Sequence, residues 1–331
     1  MKKSKIMGMG FHLPEQVVTN QDLTAILDTS DEWIQARSGI QERRWVTEDE
    51  AASDLAIPAS KKAMDMAGVA PEDIDLVIVA TLSADYFFPG VSSQLQDKLG
   101  LRTVAAFDIK AACSAFVYGL SIADQYIRSG TCHTVLVVGT EAQTKFINKT
   151  TEGRDVAVLF GDGAGAAVLQ ANNNESGILS THLHCEGKDL KNLWMKGPGS
   201  SSPDQINAVT NEQAKTYEPW MNGREVFKNA VARFPEVIQE ALDHNNLSIE
   251  DVSLIIPHQA NLRIMQSVAK RMGVEMDKLY SNIQKYGNTT AASIPIAMCE
   301  ALEEGRIKDG DYIILAAFGA GYTWASAAIR W

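Results

Sequence analysis

Cysteine is scarce: Cys113, Cys132, Cys185 and Cys299 are the only four in 331 residues, and no two fall in a C-x-x-C spacing. Their scatter suggests neither a zinc site nor a disulfide framework, and a reducing cytosol fits. Long apolar runs are missing too, since none approaches the roughly 20 residues that cross a bilayer. The opening Met1-Lys2-Lys3-Ser4-Lys5-Ile6 leads into a stretch broken by His12, Pro14 and Glu15. That pattern reads as a first strand, not a signal peptide. Positive charge is in deficit as well. A formal net charge of −11 argues against general nucleic-acid or anionic-membrane binding, although it leaves room for a local basic patch. No zinc, nucleic acid or membrane is expected as a partner, and a cytoplasmic location is. The hydrophobic content, 45%, is ordinary, and the length allows two domains or one large duplicated one around a substantial core.

What is present centres on Ala106-Phe107-Asp108-Ile109-Lys110-Ala111-Ala112-Cys113-Ser114-Ala115-Phe116. An apolar run ends in small residues, and an amphipathic segment from Phe116 to Ile127 follows, so the stretch reads as strand, tight turn, helix. Cys113 at the helix start meets unpaired N–H groups and the positive end of the helix dipole, both of which favour thiolate over thiol. It is a candidate nucleophile, with a buried structural cysteine as the alternative.

Other segments fall into place around it. A short helix begins near Asn20, the expected N-cap. In Thr29-Ser30-Asp31-Glu32-Trp33-Ile34-Gln35-Ala36-Arg37, Trp33 and Arg37 stand four apart on one helical face. Such a pair suits a purine and its phosphates, or simply a packing Trp beside a solvated Arg. A helix spans 51 to 67, and Leu76-Val77-Ile78-Val79-Ala80 and Val135-Leu136-Val137-Val138 suit strands buried on both faces. Tyr86-Phe87-Phe88-Pro89-Gly90 is an aromatic loop, either a substrate wall or a plug in a core or dimer contact. Residues 141 to 154 read as irregular and polar. Gly161-Asp162-Gly163-Ala164-Gly165 lies between two expected strands, Val156–Phe160 and Ala166–Leu169, so it fits a tight turn better than a dinucleotide fingerprint. Residues 171 to 177 form a polar linker, and 185 to 219, centred on Gly197–Pro203, a long excursion. A helix over 223 to 245 follows.

The chain then repeats itself. Asp73-Ile74-Asp75-Leu76-Val77-Ile78 aligns with Asp251-Val252-Ser253-Leu254-Ile255-Ile256, which sets His258 opposite Ala80. Cys113 precedes Gly130 by the interval that separates Asn288 from Gly305, which predicts Asn288 as the repeat partner of Cys113. Phe160-Gly161-Asp162-Gly163 answers Phe318-Gly319-Ala320-Gly321. Two similar halves, 1–174 and 175–331, should pack about a pseudo-twofold axis. Cys113, His258 and Asn288 then converge at the carboxyl ends of strands, where ligands of α/β sheets gather. A thiol, an imidazole and an amide together suit covalent thioester chemistry.

These residues resemble those of the thiolase-superfamily condensing enzymes, most closely the β-ketoacyl-acyl carrier protein synthase III family, over nearly the whole length. The resemblance rests on Thr29–Ile34, Ala111-Ala112-Cys113, Leu159–Gly165, Pro257-His258-Gln259-Ala260-Asn261, Gly287-Asn288-Thr289 and Phe318–Gly321. It implies a duplicated α/β fold layered α-β-α-β-α, and an acyltransferase that starts fatty-acid synthesis by joining an acyl-CoA to malonyl-acyl carrier protein. Cys113 would carry the acyl group, with His258 and Asn288 stabilising the enolate and the N–H groups of Cys113 and Ala320 forming the oxyanion hole. No cofactor is implied beyond the CoA thioester substrate. Trp33, Arg37, Arg154, Gly223, Phe227, Ala260 and Asn261 match CoA contacts. Phe87 and Phe88 match the loop that reaches the partner's acyl pocket in a homodimer. Lys228, Arg263, Lys270 and Arg271 match the rim that receives the carrier protein. Lys110, Ser114-Ala115, Gly153 and the long excursion depart from the family pattern. With acetyl-CoA as the default primer, they leave longer or branched primers, and malonyl-CoA as extender in specialised metabolism, as alternatives.

Overall fold

A computed structural model describes residues 3–197, 199–201 and 218–331. Most of the expected excursion, with Pro198 and the segment 202–217, lies outside the described residues. Two sheets dominate. The first contains β1 (Lys3–His12), β2 (Leu76–Ala80), β3 (Ala105–Ile109), β4 (Thr134–Glu141) and β5 (Gly163–Asn172). Its spatial order is β1-β5-β4-β2-β3. Every residue of β2 and β4 is buried, as their unbroken β-branched runs require of central parallel strands. The second sheet contains β6 (Gly177–Cys185), β7 (Val252–Pro257), β8 (Tyr312–Gly319) and β9 (Thr323–Arg330), in the order β6-β9-β8-β7. The orders match strand for strand, and an isolated parallel bridge from Ile255 to Leu279 stands where the first sheet has β3. The duplicated architecture expected from the sequence is therefore present.

Helices fill the remaining layers. Between the sheets lie α4 (Ala115–Arg128) and α7 (Ser293–Glu303), whose apolar faces join both sheets in one core that includes Phe116, Leu120, Ile294 and Met298. Gly119 lets α4 approach β4, because a Cβ there would lie 2.9 Å from Val137 Cγ1. Truncating the wholly buried Phe116 to Ala would cost roughly 3 to 5 kcal/mol. Outside the first sheet pack α2 (Ala52–Ala67) and α3 (Val91–Lys98), and outside the second pack α5 (Gly223–Asn245) and α6 (Leu262–Met272). Asn222 and Asn261 cap α5 and α6 by accepting from Glu225 N and Arg263 N. A further helix, α1 (Asp31–Ser38), is capped by Ser30 and adjoins α6.

Three local expectations are corrected. Thr19, not Asn20, is the N-cap of the helix Asn20–Thr24, and it forms a reciprocal pair with Asp22. Asn20 turns inward instead, where its amide bonds Asp31 and Ile40 O and accepts from Arg43. Val156–Phe160 is not a strand: Arg154–Ala157 is a helical turn, and Phe160 makes an isolated bridge to Asn288. Finally, spacing to the glycine at the helix end misassigned the repeat. Left-handed residues, Ala112 (φ 47°) and Thr290 (φ 50°), open matching tight turns, Ala112–Ser114 and Thr290–Ala292, that lead into α4 and α7. This makes Ala291 the partner of Cys113. Because α7 is three residues shorter than α4, counting back from Gly305 overshoots to Asn288.

Candidate active site

Cys113 lies in the turn before α4, buried against the end of β8. A Cβ on Gly319 would stand 2.7 Å from Cys113 Cβ and 3.0 Å from its Sγ, so only glycine lets strand and nucleophile come this close. The N–H groups of Cys113 and Ala320 both face Sγ and favour its charged form. Thr323 fastens the two turns together: its hydroxyl lies 2.9 Å from Ala111 O and 3.1 Å from Ala320 O, and its carbonyl accepts from Ser114 Oγ. The expected thiolate is not favoured here. Burial, reinforced by the charge of Glu141, pushes the Cys113 thiol up to about 12 against the pull of the two N–H groups.

His258 extends the end of β7, with its N–H donating to Ala316 O at 2.8 Å. Burial pulls its imidazole down to about 3, so the ring is neutral at ordinary pH. Nδ1 lies 2.6 Å from Ser293 Oγ, at the start of α7, which leaves Nε2 for the cavity. Asn288 follows Gly287 and is gripped by its backbone: its N–H donates to Leu159 O at 2.8 Å, and its carbonyl accepts from Gly161 N at 3.1 Å. Its Oδ1 accepts from Thr290 N at 2.9 Å, so the Nδ2 donors are the free end of the amide.

Arg43 braces this region. Fully buried, it donates to Val18 O, Asn20 Oδ1 and Val158 O. Burial lowers it to about 10, with the charges of Glu42 and Asp31 opposing. Through Asn20 it reaches Asp31 at the start of α1, and through Val158 it reaches the segment paired with Asn288.

Cys113, His258 and Asn288 meet in one cavity of about 660 Å³, with Phe160 and Phe318 among its walls. Trp33, Arg37, Arg154, Gly223, Phe227, Ala260 and Asn261 line it as well. Arg37 Cζ sits 4.1 Å and Arg154 Cζ 4.6 Å from the centre of the Trp33 ring. Arg154 is also tied to Asp28 O at 2.8 Å, and Asn261 to Arg37 O at 2.8 Å. Ala320 contributes its N–H rather than a wall.

Of the four basic residues singled out, Arg263 lies on the cavity wall, 5.7 Å from the Phe227 ring, whereas Lys228, Lys270 and Arg271 sit on the exposed surfaces of α5 and α6 outside it. Phe87 and Phe88, 74% and 80% exposed, lie outside the cavity. Sequence reasoning missed Arg43, Glu141, Ser293 and Thr323. Thr323 lies two residues beyond the Phe318–Gly321 motif, which was a usable signal. Arg43 sits in Glu42-Arg43-Arg44 and looks like a surface charge. Among the described residues no His, Cys, Asp and Glu cluster is fit to hold a metal, and no helix is long and apolar enough to cross a membrane.

Known proteins resemble the chain over its whole length. The family model described as 3-Oxoacyl-[acyl-carrier-protein (ACP)] synthase III matches residues 107–187, and that of its C-terminal part matches 242–331. A β-ketoacyl-[acyl-carrier-protein] synthase III of Clostridium perfringens is 46% identical over 330 residues, covering all of both chains. The crystal structure of a 3-oxoacyl-[acyl-carrier-protein] synthase III from Aquifex aeolicus is 43% identical with a TM-score of 0.90, over 99% of this chain and 100% of that one. The priming β-ketosynthase of the R1128 polyketide pathway is 32% identical with a TM-score of 0.92, over 99% and 96%.

Proposed function

The chain belongs to the β-ketoacyl-[acyl-carrier-protein] synthase III family, and from that premise we propose that it joins an acyl-CoA primer, acetyl-CoA by default, to malonyl-acyl carrier protein and so starts fatty-acid synthesis. The observation that carries this reading is the convergence of Cys113, His258 and Asn288 in a single cavity that also holds Trp33 and two guanidinium groups.

In this mechanism Cys113 Sγ bonds the acyl carbon and the C–S bond to CoA breaks. The thiol proton departs on the CoA sulfur, as it must when the nucleophile is neutral at rest. Developing negative charge on the acyl oxygen is met by the N–H groups of Cys113 and Ala320, each worth roughly 3 to 4 kcal/mol in comparable sites. A malonyl thioester then loses CO₂. Its enolate oxygen accepts from Asn288 Nδ2 and from His258 Nε2–H, the tautomer obtained when Nδ1 accepts from the Ser293 hydroxyl. The enolate carbon attacks the acyl-cysteine, the C–S bond to Cys113 breaks, and the thiolate takes up a proton. The net products are a β-ketoacyl thioester, CoA and CO₂.

Trp33, Arg37 and Arg154 receive the nucleotide of CoA in this reading. A base sandwiched between Trp33 and Arg154 requires the guanidinium to draw back from the indole, because 4.6 Å leaves no room for a flat ring between them. Gly223, Phe227, Ala260 and Asn261 line the pantetheine path. Lys228, Arg263, Lys270 and Arg271 steer an acidic carrier protein toward an otherwise negative chain. Phe87 and Phe88 are covered by a second copy in a homodimer, the protein acts in the cytoplasm, and 1–174 and 175–331 are the two halves of the duplicated scaffold. A longer or branched primer in specialised metabolism is the second reading, supported by the likeness to the polyketide priming ketosynthase but at lower identity than the fatty-acid relatives.

Condensation assays with acetyl- through decanoyl-CoA, against malonyl-carrier protein and malonyl-CoA, test the proposal. Product from acetyl-CoA and malonyl-carrier protein, lost in His258→Ala and Asn288→Ala, is expected. Product only from longer acyl groups or only with malonyl-CoA moves the enzyme to the second reading, and none with any pair defeats both.

A further inference from the structure

Strand register relates the two halves residue by residue. Leu76 lies opposite Val135 across β2 and β4, and its repeat partner Leu254 lies opposite Ile313 across β7 and β8. Counting along β4 and β8 from that pair makes Glu141 the counterpart of Gly319 and Ala142 that of Ala320, while the left-handed turns make Ala291 the counterpart of Cys113. The N–H groups that face Cys113 Sγ, those of Cys113 and Ala320, therefore have equivalents in Ala291 and Ala142. Both equivalents are occupied by side chains of this chain. The Ala291 N–H faces the Glu141 carboxylate and favours its charged form, and the Ala142 N–H donates to Ser83 Oγ at 2.8 Å. Ser83 Oγ in turn donates to Glu141 at 2.5 Å, and Leu82 N–H adds a contact of 3.2 Å. Where the reacting half has glycine, leaving space for the nucleophile, the other half has a wholly buried glutamate.

We propose that the fold contains a second oxyanion-type cradle, closed by Glu141 and Ser83, and that Glu141 is a positioning residue that holds the Asn288–Ala292 turn for decarboxylation and condensation. Sequence alone placed Glu141 in a polar, irregular stretch. It ends a strand instead, and no lysine or arginine among the described residues forms an ion pair with it. A carboxylate buried on these terms is costly unless N–H and O–H donors satisfy it, and here the donors come from the 82–83 loop and from the turn that carries Asn288. Ala291 packs with Ala115 and Ala80, and a Cβ on Gly139 would collide with Ala291 O, so the turn is wedged between β4 and the start of α4. Thr290, between Ala291 and Asn288, both adopts the left-handed conformation and donates to Asn288 Oδ1. Releasing Ala291 frees that strained turn and the aim of the Asn288 amide. The cradle at Cys113 does not depend on this anchor, because Thr323 fastens it from the other side.

The inference rests on the condensing reading, and it predicts a split between two half-reactions. In Glu141→Ala, acylation of Cys113 by acyl-CoA, followed by intact mass, should not slow, since losing a negative charge that raises the thiol eases its ionisation, while condensation by the pre-acylated enzyme should fall roughly tenfold or more, as expected for a lost charge-assisted hydrogen bond. Glu141→Gln, which keeps the volume and one acceptor, should lose less. Formate, a carboxylate that fits the vacated space, should restore condensation in Glu141→Ala and leave the native enzyme unchanged. Parallel loss of both half-reactions, or undiminished condensation in both variants, overturns the proposal. If Glu141→Ala does not fold, Glu141→Gln carries the same comparison. Failure of the native enzyme to form an acyl adduct counts against the condensing reading instead.

Discussion

Gly319→Ala is the sharpest perturbation available at the nucleophile, since it adds one methyl group and nothing else. The backbone at Gly319 lies outside the left-handed region, so alanine is conformationally permitted and the effect is purely steric. The new Cβ stands 2.7 Å from Cys113 Cβ and 2.8 Å from Cys113 N, against the roughly 3.5 to 4.0 Å at which carbon atoms rest. An overlap near 1 Å has to be relieved by parting the end of β8 from the Cys113 turn. Thr323 resists that movement through Ala111 O and Ala320 O, so the strain is shared between lost stability, typically 1 to 3 kcal/mol for overpacking, and displaced N–H donors. Displacing one oxyanion donor costs about 10² to 10³ in rate. Single-turnover acylation by acyl-CoA should therefore slow by about two orders of magnitude, with a melting midpoint lowered by several degrees. Acylation within about threefold of the native rate, with an unchanged midpoint, would refute the close-approach argument.

Other expectations follow from the same contacts. Arg43→Met strands Val18 O, Asn20 Oδ1 and Val158 O in the core, and should cost about 3 kcal/mol or more in urea unfolding; an unchanged midpoint contradicts the brace. Because burial raises the Cys113 thiol to about 12, its alkylation by iodoacetamide should climb steadily from pH 7 to pH 10 without levelling, whereas a plateau near the ordinary cysteine value of about 8.5 would show that the N–H groups prevail. Glu141 is raised from 4.5 to about 7 by burial, so the folded state binds the extra proton and stability is lost as pH rises through that window. At pH 8 Glu141→Gln should recover about 3 kcal/mol relative to its difference from the native protein at pH 4, and no pH-dependent difference would contradict the assignment. Arg154→Ala and Trp33→Ala should raise KM for the CoA thioester about tenfold with little change in kcat; a loss confined to kcat would remove them from the nucleotide site.

Much of this arrangement was legible from residue order. Buried β-branched runs located β2 and β4, the duplicated Asp73–Ile78 and Asp251–Ile256 segments revealed the two halves, and the small residues around Cys113 gave away its turn. The failures share a cause: each depended on what lies across space. Cys113 stands at a helix start, where local reasoning favours thiolate, but a glutamate from β4 and the depth of the site outweigh two N–H groups. Asn288 was matched to Cys113 by counting to a glycine at the far end of a helix whose length differs between the halves, whereas the left-handed Ala112 and Thr290 mark the true register. Arg43 and Glu141 are charged residues that local sequence assigns to solvent, yet both are wholly buried because backbone carbonyls in one case and N–H groups in the other take the place of water.

The most direct test of the account is the intact mass of the native protein and of Cys113→Ala after exposure to acetyl-CoA. A single acetyl adduct on the native chain that is absent from Cys113→Ala, and that is discharged as β-ketoacyl product when malonyl-carrier protein is added, is the predicted result. An adduct that persists in Cys113→Ala, or no adduct with acetyl-CoA or any longer acyl-CoA, would contradict the assignment of Cys113 as the acyl carrier.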